Sequence, residues 1–170
     1  MTQREKPAVV FDCMVYLQAA VSTKGPAAAA LNMLEAAMFS LYVSEDILRE
    51  VRDVLTRPKL RQKKRNLTEE RVDALMQRLS QKAVLVKNVP KQFAYDRDPD
   101  DEPYINLAIA AGAKYLVTRD KDLLDLGNDP DFHLRFPDLE IIDPVEFLNA
   151  MSSEAGPEEG TGKGDNPVKE

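Results

Sequence analysis

Short apolar runs alternate with longer amphipathic stretches along the whole chain. Five runs have the length and composition of strands, and they cover residues 8–11, 41–43, 83–86, 114–118 and 139–142. The stretches between them have helical character at 13–20, 27–39, 44–57, from Thr68 to about 82, 103–111 and 144–151. Strands that alternate with helices predict an α/β fold, a three-layer α/β/α sandwich with a mainly parallel central sheet.

The helix after residue 44 shows the clearest pattern. Ser44 is a suitable N-cap, and acids follow in the first turn, where the helix dipole favours negative charge. Its apolar stripe consists of Ile47, Leu48, Val51, Val54 and Leu55. At ~100° per residue, Glu50 lies at the margin of this stripe, roughly 100° from its centre, whereas the other acids of this helix lie further round. Glu50 is therefore the one acid here that can lean into a cleft.

The chain length and the last residues predict one domain with a tail. The 170 residues suit a single domain, which we place at 1–151. Residues 152–170 are rich in glycine and contain no aromatic residue, so we expect a disordered tail. No apolar run approaches the roughly 20 residues of a membrane span, and the first residues lack the pattern of a secretory signal.

Charge and rare residues narrow the possible chemistry. The net charge of −6 argues against broad, non-specific binding of nucleic acid. His133 is the only histidine and Cys13 the only cysteine, which excludes a zinc site rich in these residues and any internal disulfide. A single cysteine fits the reducing cytoplasm. We interpret His133 as a loop residue, and we expect carboxylates rather than imidazole to carry any catalysis.

Several acids are predicted to meet at one edge of the sheet. Asp12 follows the first strand, Asp120 follows the fourth, and Asp101 precedes the helix that leads into the fourth strand. Parallel sheets place their sites beyond the carboxyl ends of the strands, so we expect these acids to converge there with Glu50. Each also has a structural interpretation: Asp12 and Asp101 as helix caps, Asp120 as a turn residue, and Glu50 as a solvated helix residue.

Four converging carboxylates require a counter-charge, because their repulsion would otherwise raise their pKa values. Mg²⁺ or Mn²⁺ meets this need, since hard cations prefer oxygen ligands. Such an ion can activate water and stabilise a phosphodiester in its transition state. The candidate catalytic and metal-binding residues are therefore Asp12, Glu50, Asp101 and Asp120.

With these acids in place, the chain resembles the PIN-domain family, and in particular its branch of toxins from toxin–antitoxin pairs. The matching motifs are VVFD (9–12), SEDILREV (44–51), DPDD (98–101) followed by AIAAGA (108–113), and YLVTRDKDLL (115–124). The resemblance covers about residues 8–148. It implies a PIN-like fold and an Mg²⁺- or Mn²⁺-dependent ribonuclease that prefers single-stranded RNA. It further implies a homodimer, inhibition by a small antitoxin protein, Asp122 as a fifth acid at the metal, and Thr118 as a supporting hydrogen-bond donor.

Two alternatives remain from the same residues. The family usually carries Asn two residues after its first Asp, and this chain has Met14, which motivates a catalytically weak PIN-like module that binds RNA or a protein partner. An Asp that ends a first strand is also a feature of haloacid-dehalogenase phosphotransferases. That family places a second Asp where this chain has Met14, so this alternative ranks low.

A basic segment at residues 57–65 stands out in an acidic chain. Its six cations are Arg57, Lys59, Arg61, Lys63, Lys64 and Arg65. The segment is either a solvated linker between two helices or a surface that follows phosphates or contacts an acidic partner.

Overall fold

The computed structural model describes residues 6–154. The strands are β1 (Ala8–Phe11), β2 (Ser40–Ser44), β3 (Val84–Val86), β4 (Tyr115–Val117) and β5 (Glu140–Ile142). The helices are α1 (Cys13–Val21), α2 (Pro26–Glu35), α3 (Glu45–Leu55), α4 (Pro58–Lys63), α5 (Glu69–Lys82), α6 (Glu102–Ala110), α7 (Lys121–Gly127), α8 (Pro130–Arg135) and α9 (Pro144–Glu154). A 3₁₀ turn, Pro99–Asp101, leads directly into α6.

All five strands form one parallel sheet in the order β3-β2-β1-β4-β5, with helices on both sides. The predicted three-layer α/β/α architecture is confirmed. The chain runs outward from β1 in one direction and then from β4 in the other, so the direction of winding reverses between these two central strands. A reversal of this kind opens a crevice at the carboxyl ends of the strands. Asp12 and Asp120 follow the two strands that flank it.

The core packs tightly beneath this crevice. Val9, Val10 and Leu116 are fully buried on the two central strands. Phe11 packs against Phe39, with ring centroids 5.7 Å apart. Helix α6 lies against β1, β2 and β4. Because α6 begins immediately after Asp101, its burial fixes the position of that acid at the edge of the sheet.

Helix α2 ends at Glu35, four residues before the predicted end at Phe39. Ala37 adopts a left-handed backbone conformation with φ 58°. The amide of Met38 donates to the carbonyl of Met33, which closes a Schellman motif. Glycine usually fills the left-handed position of this motif, so the alanine-rich sequence gave no stop signal. Phe39 is instead buried beside the sheet.

Three short helices and one boundary differ from the sequence prediction. The basic segment contains α4, where no helix was predicted between residues 57 and 68, and α7 and α8 likewise occupy a stretch for which no helix was predicted. His133 lies in the last turn of α8, so its assignment to a loop was wrong. Helix α9 continues to Glu154, whereas the domain was predicted to end at residue 151 and the tail to begin at 152. The rest of that predicted tail, 155–170, lies outside the described residues.

Between residues 6 and 154, no helix combines the length and the apolar character that a membrane crossing requires.

Candidate metal centre

Asp12 is held at the carboxyl end of β1 by two kinds of hydrogen bond. One carboxylate oxygen accepts from the backbone amide of Val15 at 3.2 Å and so caps α1. The other accepts from the hydroxyl of Thr118. The side chain is only 4% exposed. Asp12 therefore has the cap role that the sequence allowed, and it also reaches across to the end of β4.

Thr118 joins the acids that follow the two central strands. Its hydroxyl donates to Asp12 and accepts from the backbone amide of Asp120 at 2.9 Å. The residue is fully buried. Thr118 therefore makes the supporting hydrogen bond that the family resemblance implied. It does not merely end a strand with a β-branched side chain.

Asp120 begins α7 as its N-cap. One carboxylate oxygen accepts from the backbone amides of Asp122 at 2.7 Å and Leu123 at 3.3 Å. The structural alternative had made this acid a turn residue. The cap instead fixes its carboxylate at the start of a helix, where the dipole favours negative charge.

Asp101 differs from the other two because its side chain caps nothing. It occupies the N-cap position of α6 without a side-chain cap hydrogen bond. One of its carboxylate oxygens is buried and has no hydrogen-bond partner among the described residues. Buried polar atoms are nearly always satisfied, so an unsatisfied carboxylate oxygen indicates a missing partner. A metal ion would supply that partner.

Asp98, Asp101 and Asp120 form a compact acidic group. One carboxylate oxygen of each lies within 4.8 Å of the other two. Asp98 was not among the predicted site residues. Its signal was present in the sequence, because it opens the Pro-led turn that ends at Asp101 and its carboxylate accepts from the amide of Asp100 at 3.2 Å. Within residues 6–154, Asp12, Glu50 and Asp122 do not belong to this group of three.

The acids at this edge hold protons unusually tightly. Burial raises the pKa of Asp12 to about 6, and the charge of Asp120 adds to the rise. Burial also raises the pKa of Asp101 to about 7, helped by the charges of Asp120, Asp98 and Asp12. Asp12, Asp98, Asp101 and Asp120 therefore interact electrostatically. A cation bound here would offset both the cost of burying these carboxylate charges and their mutual repulsion.

Glu50 projects from α3 toward the same region. It is half-buried, whereas Glu45, Asp46 and Asp53 of the same helix are exposed, as the helical geometry predicts. The hydroxyl of Tyr104 donates to the Glu50 carboxylate at 3.0 Å. Sequence reasoning did not find Tyr104, which lies 54 positions away and whose apolar context indicated only core packing.

The thiol of Cys13 lies beside the same acids. Burial, together with the charges of Glu50 and Asp12, raises its pKa to about 12. The thiol therefore stays protonated at neutral pH and does not act as a nucleophile.

Asp122, the predicted fifth acid, is already paired. Its carboxylate lies 2.7 Å from the guanidinium of Arg97, which also contacts Asp125 at 3.3 Å. The backbone carbonyl of Asp122 accepts from the hydroxyl of Tyr95 at 2.9 Å. The structure thus places Asp122 next to the acidic group but gives it a cationic partner of its own.

Comparison with known proteins agrees with this geometry. The model of a family described as the PIN domain matches residues 8–122. An uncharacterized protein of Methanocaldococcus jannaschii is 30% identical over 148 residues, which cover 86% of this chain and 92% of that protein.

Proposed function

The chain belongs to the PIN-domain family, and on that premise we propose that it is a metal-dependent endoribonuclease that hydrolyses RNA phosphodiester bonds. PIN domains are generally nucleases. The observation that carries the proposal is the buried, unpartnered carboxylate oxygen of Asp101 beside Asp98 and Asp120. A purely structural carboxylate in that position would have a hydrogen-bond donor.

The oxygen-only donor set fits a hard divalent cation such as Mg²⁺ or Mn²⁺. Asp98, Asp101 and Asp120 would hold it, with Asp12 adjacent. When bound, the ion supplies a water of lowered pKa and positive charge for the phosphodiester in its transition state.

The chain's own residues position this chemistry. Thr118 holds Asp12 against the end of β4, and the cap of α7 holds Asp120. Glu50, oriented by Tyr104, is the fourth proposed catalytic acid beside Asp12, Asp101 and Asp120. A carboxylate held in this way is suited to accept a proton from the attacking water. Asp122 remains a proposed fifth acid, in competition with Arg97 for its charge.

We extend the proposal to substrate and setting on the strength of the resemblance. Single-stranded RNA is the proposed substrate, and the chain is proposed to act as the toxin of a toxin–antitoxin pair in the cytoplasm. It would form a homodimer and be inhibited by a small antitoxin protein. The single, partly buried Cys13 is compatible with a reducing compartment.

Calorimetric titration with Mn²⁺ tests the metal site, beside an Asp101→Asn, Asp120→Asn double variant. The parent should bind Mn²⁺ at pH 8 and cleave a single-stranded RNA, and the double variant should do neither. Asp46→Asn is the matched control, because Asp46 is an exposed acid paired with Arg49 on the outer face of α3. Cleavage by the double variant at the parental rate would refute the proposal.

A second candidate function is a PIN-like module that binds RNA or a protein without cutting. Met14, in place of the usual family Asn, favours it. Such a module should bind RNA yet show no Mn²⁺ heat and no cleavage at millimolar metal. The same titration therefore separates the two functions.

A further inference from the structure

A pocket of about 360 Å³ lies beside the acidic edge, between α1, the loop that follows it and the end of α4. Its size falls within the range of small-molecule sites. Apolar side chains of α1 form one wall, Met14, Leu17 and Val21. Three cations stand around it, Lys24, Lys64 and Arg119. The pocket thus combines an apolar wall with a positive rim in a protein whose net charge is −6.

The pocket adjoins the proposed metal centre through the chain itself. Met14 lies two residues after Asp12, and Arg119 directly precedes Asp120. Adjacent Cα atoms are about 3.8 Å apart, so both lining residues lie within one or two residue lengths of a site acid. A polymer that places one phosphate at the acids would bring its next unit to this pocket.

The three cations of the pocket are uncommitted. All three side chains are exposed, and none has an ion pair with an acid among residues 6–154. In contrast, Arg57, which lies in the same basic segment as Lys64, is paired with Asp53 at 3.1 Å. Free cations beside a strongly acidic site are suited to neutralise the phosphates that flank a bound substrate.

The loop that carries Lys24 is held in place before any ligand binds. The hydroxyl of Ser22 donates to the carbonyl of Lys24 at 2.8 Å and accepts from its amide at 3.1 Å. Gly25 follows with φ 102°, a conformation that glycine adopts without strain. A fixed loop reduces the entropy that a ligand must overcome to bind.

We propose that this pocket binds one nucleotide of single-stranded RNA next to the scissile phosphate. Its base packs against Met14 and the apolar face of α1, and the phosphates that flank it along the strand contact Lys24, Lys64 and Arg119. This inference rests on the proposed ribonuclease function and assigns it a subsite.

Met14 then becomes a determinant of substrate binding rather than a defect of the site. Its side chain is 44% exposed, so a ligand can reach it, and it lines the pocket. A thioether packs favourably against aromatic rings, and an unpaired base offers such a ring. Bases in duplex RNA are stacked and unavailable, so the pocket selects single strands.

Fluorescence anisotropy of a labelled 12-nucleotide single-stranded RNA tests the charged rim. The measurements use EDTA, which prevents cleavage and keeps RNA binding separate from metal binding. Lys64→Ala and Arg119→Ala should each lower the slope of log K against log salt concentration by about 0.7, the value for one lost phosphate contact on a single strand. Lys63→Ala is the matched control, since it removes the same charge one residue away but does not line the pocket. Equal losses for Lys63→Ala and Lys64→Ala would overturn the proposal.

Two substitutions of Met14 test the apolar wall. Met14→Gln keeps the side-chain length but loses the apolar contact, and it should weaken single-strand binding about 2- to 10-fold. Met14→Leu should keep parental affinity. Because Met14 is exposed, both variants should fold, and their thermal melts check this. Parental affinity of Met14→Gln would overturn the base contact.

Two competitors separate other occupants from the proposed one. Duplex RNA or polyglutamate that binds as tightly as single-stranded RNA, with the same loss on Lys64→Ala, would identify a general anion surface and overturn the proposal. Failure of the parent to bind RNA in EDTA would also overturn it, whatever the Mn²⁺ titration gives. Binding with the expected losses but without cleavage at millimolar Mn²⁺ would refute the ribonuclease function while the nucleotide pocket stands.

Discussion

Two groups of acids at the carboxyl edge of the sheet differ in how their charge is compensated. Asp12 is buried and Asp101 is half-buried, and both have raised pKa values. Asp122 and Asp125 instead share the guanidinium of Arg97. The groups lie next to each other, yet only the second contacts a cation within residues 6–154, so we expect the first to gain more from an added cation. On this proposal, the absence of a competing cation identifies a metal ligand better than proximity to a strand end does.

The largest contrast is expected when each group loses one carboxylate. Asp101→Asn should lower RNA cleavage by about 100-fold or more, because it removes preorganised charge at the reacting centre. Asp122→Asn should change cleavage by less than about fivefold, since its charge is already offset by Arg97. Initial rates of cleavage of one labelled RNA at fixed Mn²⁺ check both. Equal effects of the two substitutions would remove the distinction between the groups.

Metal and pH should act together on Asp12 and Asp101. In the folded protein without metal, Asp12 keeps its proton up to pH about 6 and Asp101 up to pH about 7. The unfolded chain releases the same protons at pH ~3.9. Their contribution to the free energy of unfolding therefore falls as pH rises from about 4 to 7. Bound Mn²⁺ favours the ionised forms, so its stabilising effect should grow over the same range, to about 2.7 kcal/mol at 100 times its Kd.

Urea unfolding at pH 5 and pH 8 measures this linkage, with EDTA or with Mn²⁺. In EDTA, Asp101→Asn should become more stable than the parent as pH rises, because it removes a carboxylate that resists ionisation. A stability difference between parent and Asp101→Asn that does not vary with pH would contradict the raised pKa.

The sequence was informative about this comparison only in part. The positions of Asp12 and Asp120 after the central strands follow from two short apolar runs, and hydrophobic patterning is the strongest local signal in a parallel sheet. The fold could therefore be predicted, and with it the edge at which the acids meet. The position of Glu50 at the margin of the buried face of its helix also followed from the period of the apolar residues in that helix.

The pairing of each acid could not be predicted, because it is decided between distant residues. Arg97 reaches Asp122 across 25 positions, and Tyr104 reaches Glu50 across 54. No local pattern encodes such contacts. The short helices α7 and α8 were missed for another reason, since their caps were present in the sequence. Asp129-Pro130 has the composition of a helix start, but the helix contains only six residues and shows no periodicity.

Thr118→Val should weaken the first group without removing a carboxylate. The variant leaves one oxygen of the buried Asp12 without its hydroxyl donor, and the cost of such a loss is about 1–3 kcal/mol of the free energy of unfolding. The pKa of Asp12 should rise further, because the Thr118 hydrogen bond lowers it. Cleavage should fall about 10-fold at neutral pH, the lower limit for loss of a residue that orients a metal ligand.

Thr118→Ser provides the control, since it keeps the hydroxyl and loses one methyl group. It should retain most of the cleavage rate, and the pH profile of cleavage should shift upward only in Thr118→Val. Equal rates and profiles for the two variants would mean that the hydroxyl does not position Asp12.

The smallest effect should come from removing the cation of the second group. Arg97 is exposed, and exposed ion pairs contribute about 0–1 kcal/mol, so Arg97→Gln should leave the free energy of unfolding within that range. The same substitution frees the Asp122 carboxylate next to the acidic group. If Asp122 is the fifth acid of the metal site, Mn²⁺ should bind Arg97→Gln up to about fivefold more tightly, and the double variant Arg97→Gln, Asp122→Asn should lose that gain. Calorimetric titration of the four proteins in this cycle measures the coupling. A gain that persists in the double variant would show that Arg97 opposes the metal by its charge alone, and Asp122 would then no longer count among the ligands.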